Sequence, residues 1–247
     1  MTTAALPQRS LLPYMVLAAI AALILWGLVA SGLWTDILRY RKDIVFLTKQ
    51  HLFLVGVSGS LAIITGVAMG VWLSRPWMAR HAEATIQAVN MATAIPTLGK
   101  LALMMALLGI GALPAIVGLW IATLLPIVRN TYVGLKSVPE PLIDAAHGMG
   151  MSAGAILRRV ELPNALFVIF AGVRTAMAVN VGTAPIAFLI GGGGLGELIF
   201  TGIDLQEFGM MLAGAIPTAL LAVAVDFAFG QAQYWLVPRG VNPLRNS

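Results

Sequence analysis

Six apolar runs, each near the length of a lipid bilayer, limit what this chain can become. They fall at about 12–33, 53–73, 85–110, 113–135, 166–190 and 208–236, and a spanning helix needs roughly 20 such residues. Backbone inside hydrocarbon must satisfy its own hydrogen bonds, which leaves helices or a closed barrel. Runs this long and unalternating are helices. The sequence therefore predicts an all-α fold, a polytopic transmembrane bundle of about six spans. Charged residues make up 10% of the chain, against about a quarter in soluble domains. The third and fourth runs are joined only by the tight turn Gly109-Ile110-Gly111-Ala112-Leu113-Pro114. Arg9 precedes the first run, as in a signal peptide, but the apolar stretch is long for one and is read as a retained span.

The chain has no cysteine, which excludes disulfides, thiolate chemistry and cysteine-based metal sites. No metal site is expected. Its net charge of +5 is explained by cationic loops on the inner side of a membrane, so no nucleic-acid partner is expected. Placing residues 136–165 inside puts Arg9, Arg75, Arg80, Arg129, Lys136, Arg158, Arg159, Arg239 and Arg245 within or near the inner interface. The loop with Glu197, Asp204 and Glu207 has no Lys or Arg and suits the outer face. The segment 34–51 is the misfit, because Arg39, Arg41, Lys42 and Lys49 then lie outside. Asp36 and Asp43 offset them in part, and its apolar positions predict a short helix at the interface. A first span of reversed orientation is the alternative. No internal repeat is evident.

One polar, basic island interrupts this pattern, from Asp144 to Pro163. Ser137-Val138-Pro139-Glu140 before it reads as a capping box with proline in the first turn. Leu142, Ile143, Ala145, Ala146 and Met149 form an apolar face at helical spacing, and the two alanines let another surface approach closely. Gly148 and Gly150 stop that helix. Ser152 caps a second, over 153–161, expected to end at Pro163. Helix, glycine turn, helix makes a compact knob. An amphipathic connector lying on the membrane is the plainer reading.

The spacing Asp144-Ala145-Ala146, Gly150, then Val160-x-Leu162-Pro163 closely resembles the EAA motif of ABC importer permeases, E-A-A-x3-G-x9-I-x-L-P. Asp144 stands for Glu and Val160 for Ile, with no change in gap lengths. The resemblance implies a type I, MetI-like permease fold and a coupling role for Asp144, Ala145, Ala146, Gly150, Met151, Ser152, Leu162 and Pro163. In that family the knob docks into a cleft on a cytoplasmic ATPase. Further stretches resemble the glycine betaine/carnitine/choline permeases of the osmoprotectant group: Ala94-Ile95-Pro96-Thr97-Leu98, Leu125-Pro126-Ile127-Val128-Arg129-Asn130-Thr131-Tyr132, Gly172-Val173-Arg174-Thr175 and Gly191 to Gly196. The chain then divides into an N-terminal stub, first span and interfacial linker (1–51), a permease core (52–236) with its coupling segment at 137–165, and an inner tail (237–247).

That resemblance implies a multi-pass protein of the bacterial inner membrane that imports small quaternary-ammonium solutes under osmotic stress. The implied partners are an ABC ATPase dimer, an extracytoplasmic solute-binding protein, a second permease subunit, identical or related, and membrane lipid. The chain itself is not an enzyme and takes no cofactor. It has no Walker A sequence. Gly191 to Gly196 satisfies G-x-G-x-x-G, but it follows a membrane span rather than a strand, which removes the dinucleotide reading.

A permeation path is sought where non-helical backbone lies within the membrane. Pro96 and Thr97 interrupt the third span, Asn180 and Thr183 lie on the fifth, and Gly192 and Gly193 end it. These six are expected to face a central path, with ordinary helix packing as the alternative. Lys100 is costly at membrane depth and is expected to pair with a carbonyl or a carboxylate, with Asp226 as the named candidate. Arg174 either snorkels or touches the knob. Selectivity is assigned to the binding protein, since no aromatic cage is apparent. His51, His81 and His147, read in loops or at interfaces, form no catalytic motif. The competing functions are an ABC permease for methionine, an amino acid or a phosphonate, and a secondary transporter.

Overall fold

The computed structural model describes residues 32–242, with isolated positions at 19, 26, 27, 30 and 245. The first predicted run, 12–33, falls almost wholly outside the described residues. Among those described, helices α1 (Leu33–Arg39) and α2 (Arg41–Leu73) open the chain. A 33-residue helix is about 50 Å long, well beyond the ~30 Å hydrocarbon thickness. Segment 34–51 is thus not one short helix: its first part forms α1, and residues 41–51 are the opening turns of α2. Residues 41–51 contain no proline or glycine, so the helix runs on without a break from Arg41 into the span. His51 is accordingly buried on a helix rather than in a loop. Arg39 approaches Glu207 at 3.9 Å, which brings the basic stretch to the acidic loop between the last two long helices.

The third span is broken. Helix α3 (Ala79–Ala94) and helix α4 (Thr97–Leu108) meet at 91°. Proline at 96 drives Ile95 out of helical conformation, to φ −59° and ψ 130°. Lys100 is buried, and its Nζ donates to the Thr93 carbonyl oxygen at 3.0 Å. The expected Lys100–Asp226 pair does not form. The freed carbonyl at the end of α3 is the nearer acceptor, and Asp226 is already taken by Arg174.

Helix α5 (Ala112–Lys136) returns inward. The inner segment holds α6 (Glu140–Gly148) and α7 (Ala153–Ile156), and α8 (Leu162–Thr183) climbs again. A 3₁₀ turn, Ala184–Ile190, leads through glycines to α9 (Gly196–Asp204), and α10 (Phe208–Leu236) crosses last. Four helical stretches among the described residues are long and apolar enough to span, and there are five if the bent α3–α4 pair is counted as one span.

The core lies where α5 packs between α2 and α8. Small residues set its density. A Cβ at Gly70 would lie 2.9 Å from the Val128 carbonyl oxygen, and one at Gly172 2.7 Å from that of Pro126. With no hydrophobic drive between helices in lipid, such close approach is what holds them together. Two polar pairs cross the same interfaces. The Asn180 amide donates to Ser58 Oγ at 2.9 Å, and Trp120 Nε1 donates to Thr65 Oγ1 at 2.9 Å. Arg174 bonds to neither of the knob's helices. Its guanidinium forms a two-armed ion pair with Asp226 of α10.

Candidate functional site

The polar island folds as a protruding hook. Its first helix is not started by the expected capping box. Pro139 occupies the cap position without a side-chain bond, and Ser137 Oγ instead donates back to the Gly134 carbonyl oxygen at 2.8 Å. Helix α5 runs to Lys136, so Ser137 serves the end of that helix rather than the start of the next. The stop comes where the glycine predicts it. Met151 N donates to Ala146 O at 3.1 Å and Gly150 N to His147 O at 2.9 Å. Gly150 has φ +74°. This pair of bonds around a left-handed glycine is the Schellman closure.

Beyond the turn, Ser152 stands at the cap position of α7, but its hydroxyl makes no capping bond. The second helix does not end at Pro163. A π-helical turn, Leu157–Glu161, carries it directly into α8. The wider turn changes the bonding register just before the proline, relieving the usual clash. Asn164 Nδ2 then donates to the Val160 carbonyl oxygen at 2.7 Å. The knob is therefore one piece with the span above it.

Of the coupling residues read from the sequence, Asp144, Ala145, Gly150 and Ser152 are exposed around the hook, and Met151 is half-buried. Ala146 is buried and faces inward, while Leu162 and Pro163 form the root of α8. Met149 is 74% exposed at the turn itself, a large apolar side chain offered to the surroundings. Between the hook and the inner end of α2 opens a cleft of about 660 Å³, lined in part by Arg75, Trp77, Lys136, Asp144 and His147.

The sequence reading missed what closes that cleft. Arg75 and Glu161 form an ion pair at 2.7 Å, with side chains 15% and 13% exposed. Arg75 also donates to Ser74 Oγ at 2.8 Å. It thus clamps the π-turn to the end of α2. The available signal was Glu161 itself, since a carboxylate beside an apolar span needs a partner.

The six path residues differ in exposure within this chain. Pro96 is exposed and Thr97 half-buried at the α3–α4 break. Thr183 is half-buried, its hydroxyl bonded to the Val179 carbonyl oxygen at 2.8 Å. Asn180 is fully buried within the bundle and donates its amide to Ser58. Gly192 packs on Ala115, and Gly193 lies beside Gln50, whose Oε1 accepts from Gly194 N at 3.0 Å. The glycine run is a tight outer cap seated on α2 and α5. Among the described residues no group of three or more His, Cys, Asp or Glu is arranged to hold a metal ion.

Comparison with known proteins gives concordant likenesses. The sequence pattern of the family described as binding-protein-dependent transport system inner membrane component matches residues 62–240. The osmoprotectant import permease protein OsmY of Salmonella typhimurium is 49% identical over 85% of this chain and 88% of its own. The glycine betaine/carnitine/choline transport system permease protein OpuCB of Bacillus subtilis is 37% identical over 82% of this chain and 93% of its own. In structure, the bundle is similar to a chain of the MetNI methionine ABC transporter, with a TM-score of 0.68 and 26% identity over 81% of this chain and 96% of that one.

Proposed function

Because this chain belongs to the family of binding-protein-dependent transport system inner membrane components, we propose that it is the permease subunit of an ATP-driven importer of quaternary-ammonium compatible solutes such as glycine betaine, choline or carnitine. The observation that carries the coupling half of this reading is the exposed glycine-closed hook, continuous through its π-turn with a spanning helix. A push on such a hook moves α8 as a rigid lever, and α8 is packed on α5 in the core. The solute half rests on the relatives named for osmoprotectants, which are nearer in sequence than the methionine transporter.

In this reading an ATPase dimer grips Asp144, Ala145, Gly150, Met151 and Ser152 from the cytoplasm and performs all hydrolysis. Ala146, Leu162 and Pro163 shape the hook from within. A solute-binding protein delivers cargo at the outer face, where Gly192 and Gly193 cap the bundle. A second permease subunit completes the path along the broken span at Pro96 and Thr97, with Thr183 beside it and Asn180 bracing it from behind. No cofactor takes part.

The test is ATP-driven uptake by the complete transporter in proteoliposomes. Radiolabelled glycine betaine, choline, carnitine and methionine are offered in turn with the cognate binding protein. Accumulation of at least one quaternary ammonium and exclusion of methionine is the expected result. Uptake of methionine alone would overturn the solute assignment, and uptake without ATP would overturn the coupling.

A further inference from the structure

Helix α3 is too polar for a lipid-facing helix. Glu83, Gln87 and Asn90 follow one another along an exposed face. They are linked as a ladder, Gln87 Nε2 donating to Glu83 Oε1 at 3.1 Å and Asn90 Nδ2 to Gln87 Oε1 at 3.5 Å. The opposite side of the same cleft is α5, with exposed Arg129 and half-buried Tyr132. Polar and charged side chains gathered on two facing helices suit a water-filled cleft better than lipid contact. The cleft is small, about 130 Å³, below the range that takes a drug-sized ligand.

Its two charges have opposite sign and make no ion pair with each other: the ion pairs among the described residues join other partners. Arg129 and Glu83 each therefore have charge to offer. A guanidinium matches a carboxylate in a two-pronged geometry. A carboxylate and a tyrosine ring together match an ammonium that has no N–H to donate, through Coulomb attraction and the ring face. The lining therefore carries both a group suited to an anion and groups suited to a bulky cation.

We propose that the α3–α5 cleft is a binding station for a small zwitterion bearing a quaternary ammonium and a carboxylate, with Arg129 taking the carboxylate and Glu83 and Tyr132 the ammonium. This rests on the solute class proposed above and adds a selectivity element within the permease itself. A betaine engages both, whereas choline, which has no carboxylate, engages only Glu83 and Tyr132. The two solutes respond differently to loss of each charge.

The experiment measures initial ATP-driven uptake of glycine betaine and of choline by the intact transporter in proteoliposomes. It reports their ratio, which does not depend on how much protein is incorporated. Arg129→Gln should lower betaine uptake about tenfold relative to choline. Glu83→Gln should shift the ratio the other way, choline falling about threefold or more relative to betaine, because betaine keeps its Arg129 contact. Arg129→Lys should restore part of the betaine preference. Opposite shifts from two variants are not produced by general damage to the fold. Ratios unchanged in both variants, or moved in the same direction, would overturn the station. Wild-type protein that moves none of glycine betaine, choline and carnitine would overturn the proposed function instead, and the ligand class with it.

Discussion

Solute uptake should fall at least tenfold when Gly150 is replaced by arginine, with the spans still inserted and the chain still present in the membrane. Two effects combine. Gly150 holds φ +74°, a conformation that costs a side-chain-bearing residue about 1–2 kcal/mol. Nothing lies within 4 Å of the position a Cβ would take, so the side chain leaves the chain's own packing intact and projects from the tip of the hook. There it obstructs whatever surface receives the tip. Gly150→Ala separates the causes, since it carries the backbone strain without the bulk. Uptake and ATPase retained on purification should both drop sharply for arginine and only modestly for alanine. Wild-type uptake by the arginine variant would argue against docking at this turn.

Removing Arg75 should have the second large effect. Its partner Glu161 is 13% exposed at the π-turn, and breaking such a pair strands a carboxylate at a cost of about 3 kcal/mol. The consequence is local and mechanical: the hook loses its tie to the inner end of α2. Arg75→Ala is expected to lower the thermal midpoint of the solubilised complex and to reduce solute moved per ATP hydrolysed. Exchanging the charges, Arg75→Glu with Glu161→Arg, should recover part of both. A double variant no better than the sum of its single changes would show that the two residues do not act as a pair.

The spanning helices were legible because a membrane demands long apolar runs, and the runs at 113–135 and 208–236 match α5 and α10 closely. The hook's turn was legible for an equally direct reason: Gly150 is the residue that a left-handed closure calls for. Three features were not. Helix α2 begins at Arg41 because charge on a helix beyond the bilayer is no obstacle to helical bonding, and charge had marked that stretch as linker. The helix through Pro163 survives by a π-turn, which leaves no signature in composition. The ion pairs Arg75–Glu161 and Arg174–Asp226 join residues distant in sequence, and only the packing of α2, α8 and α10 brings them together. Asn180 shows the same limit, since polarity at membrane depth marks a packed interface as readily as a channel wall. The likeness to the EAA pattern implies a role for the hook without indicating which of its residues are exposed.

The central claim is that this hook is where the ATPase takes hold, and a chain with no cysteine is well suited to testing it. A single cysteine placed by Met149→Cys at the exposed tip should cross-link to a cysteine introduced in the receiving cleft of the ATPase, and nucleotide should change the yield. Leu107→Cys, equally exposed at 75% but on the broken span, should give no such product. Cross-linking from position 149 in the assembled, transporting complex is the predicted result. Absence of that product, with the ATPase bound and Leu107→Cys linking to it instead, would contradict the account.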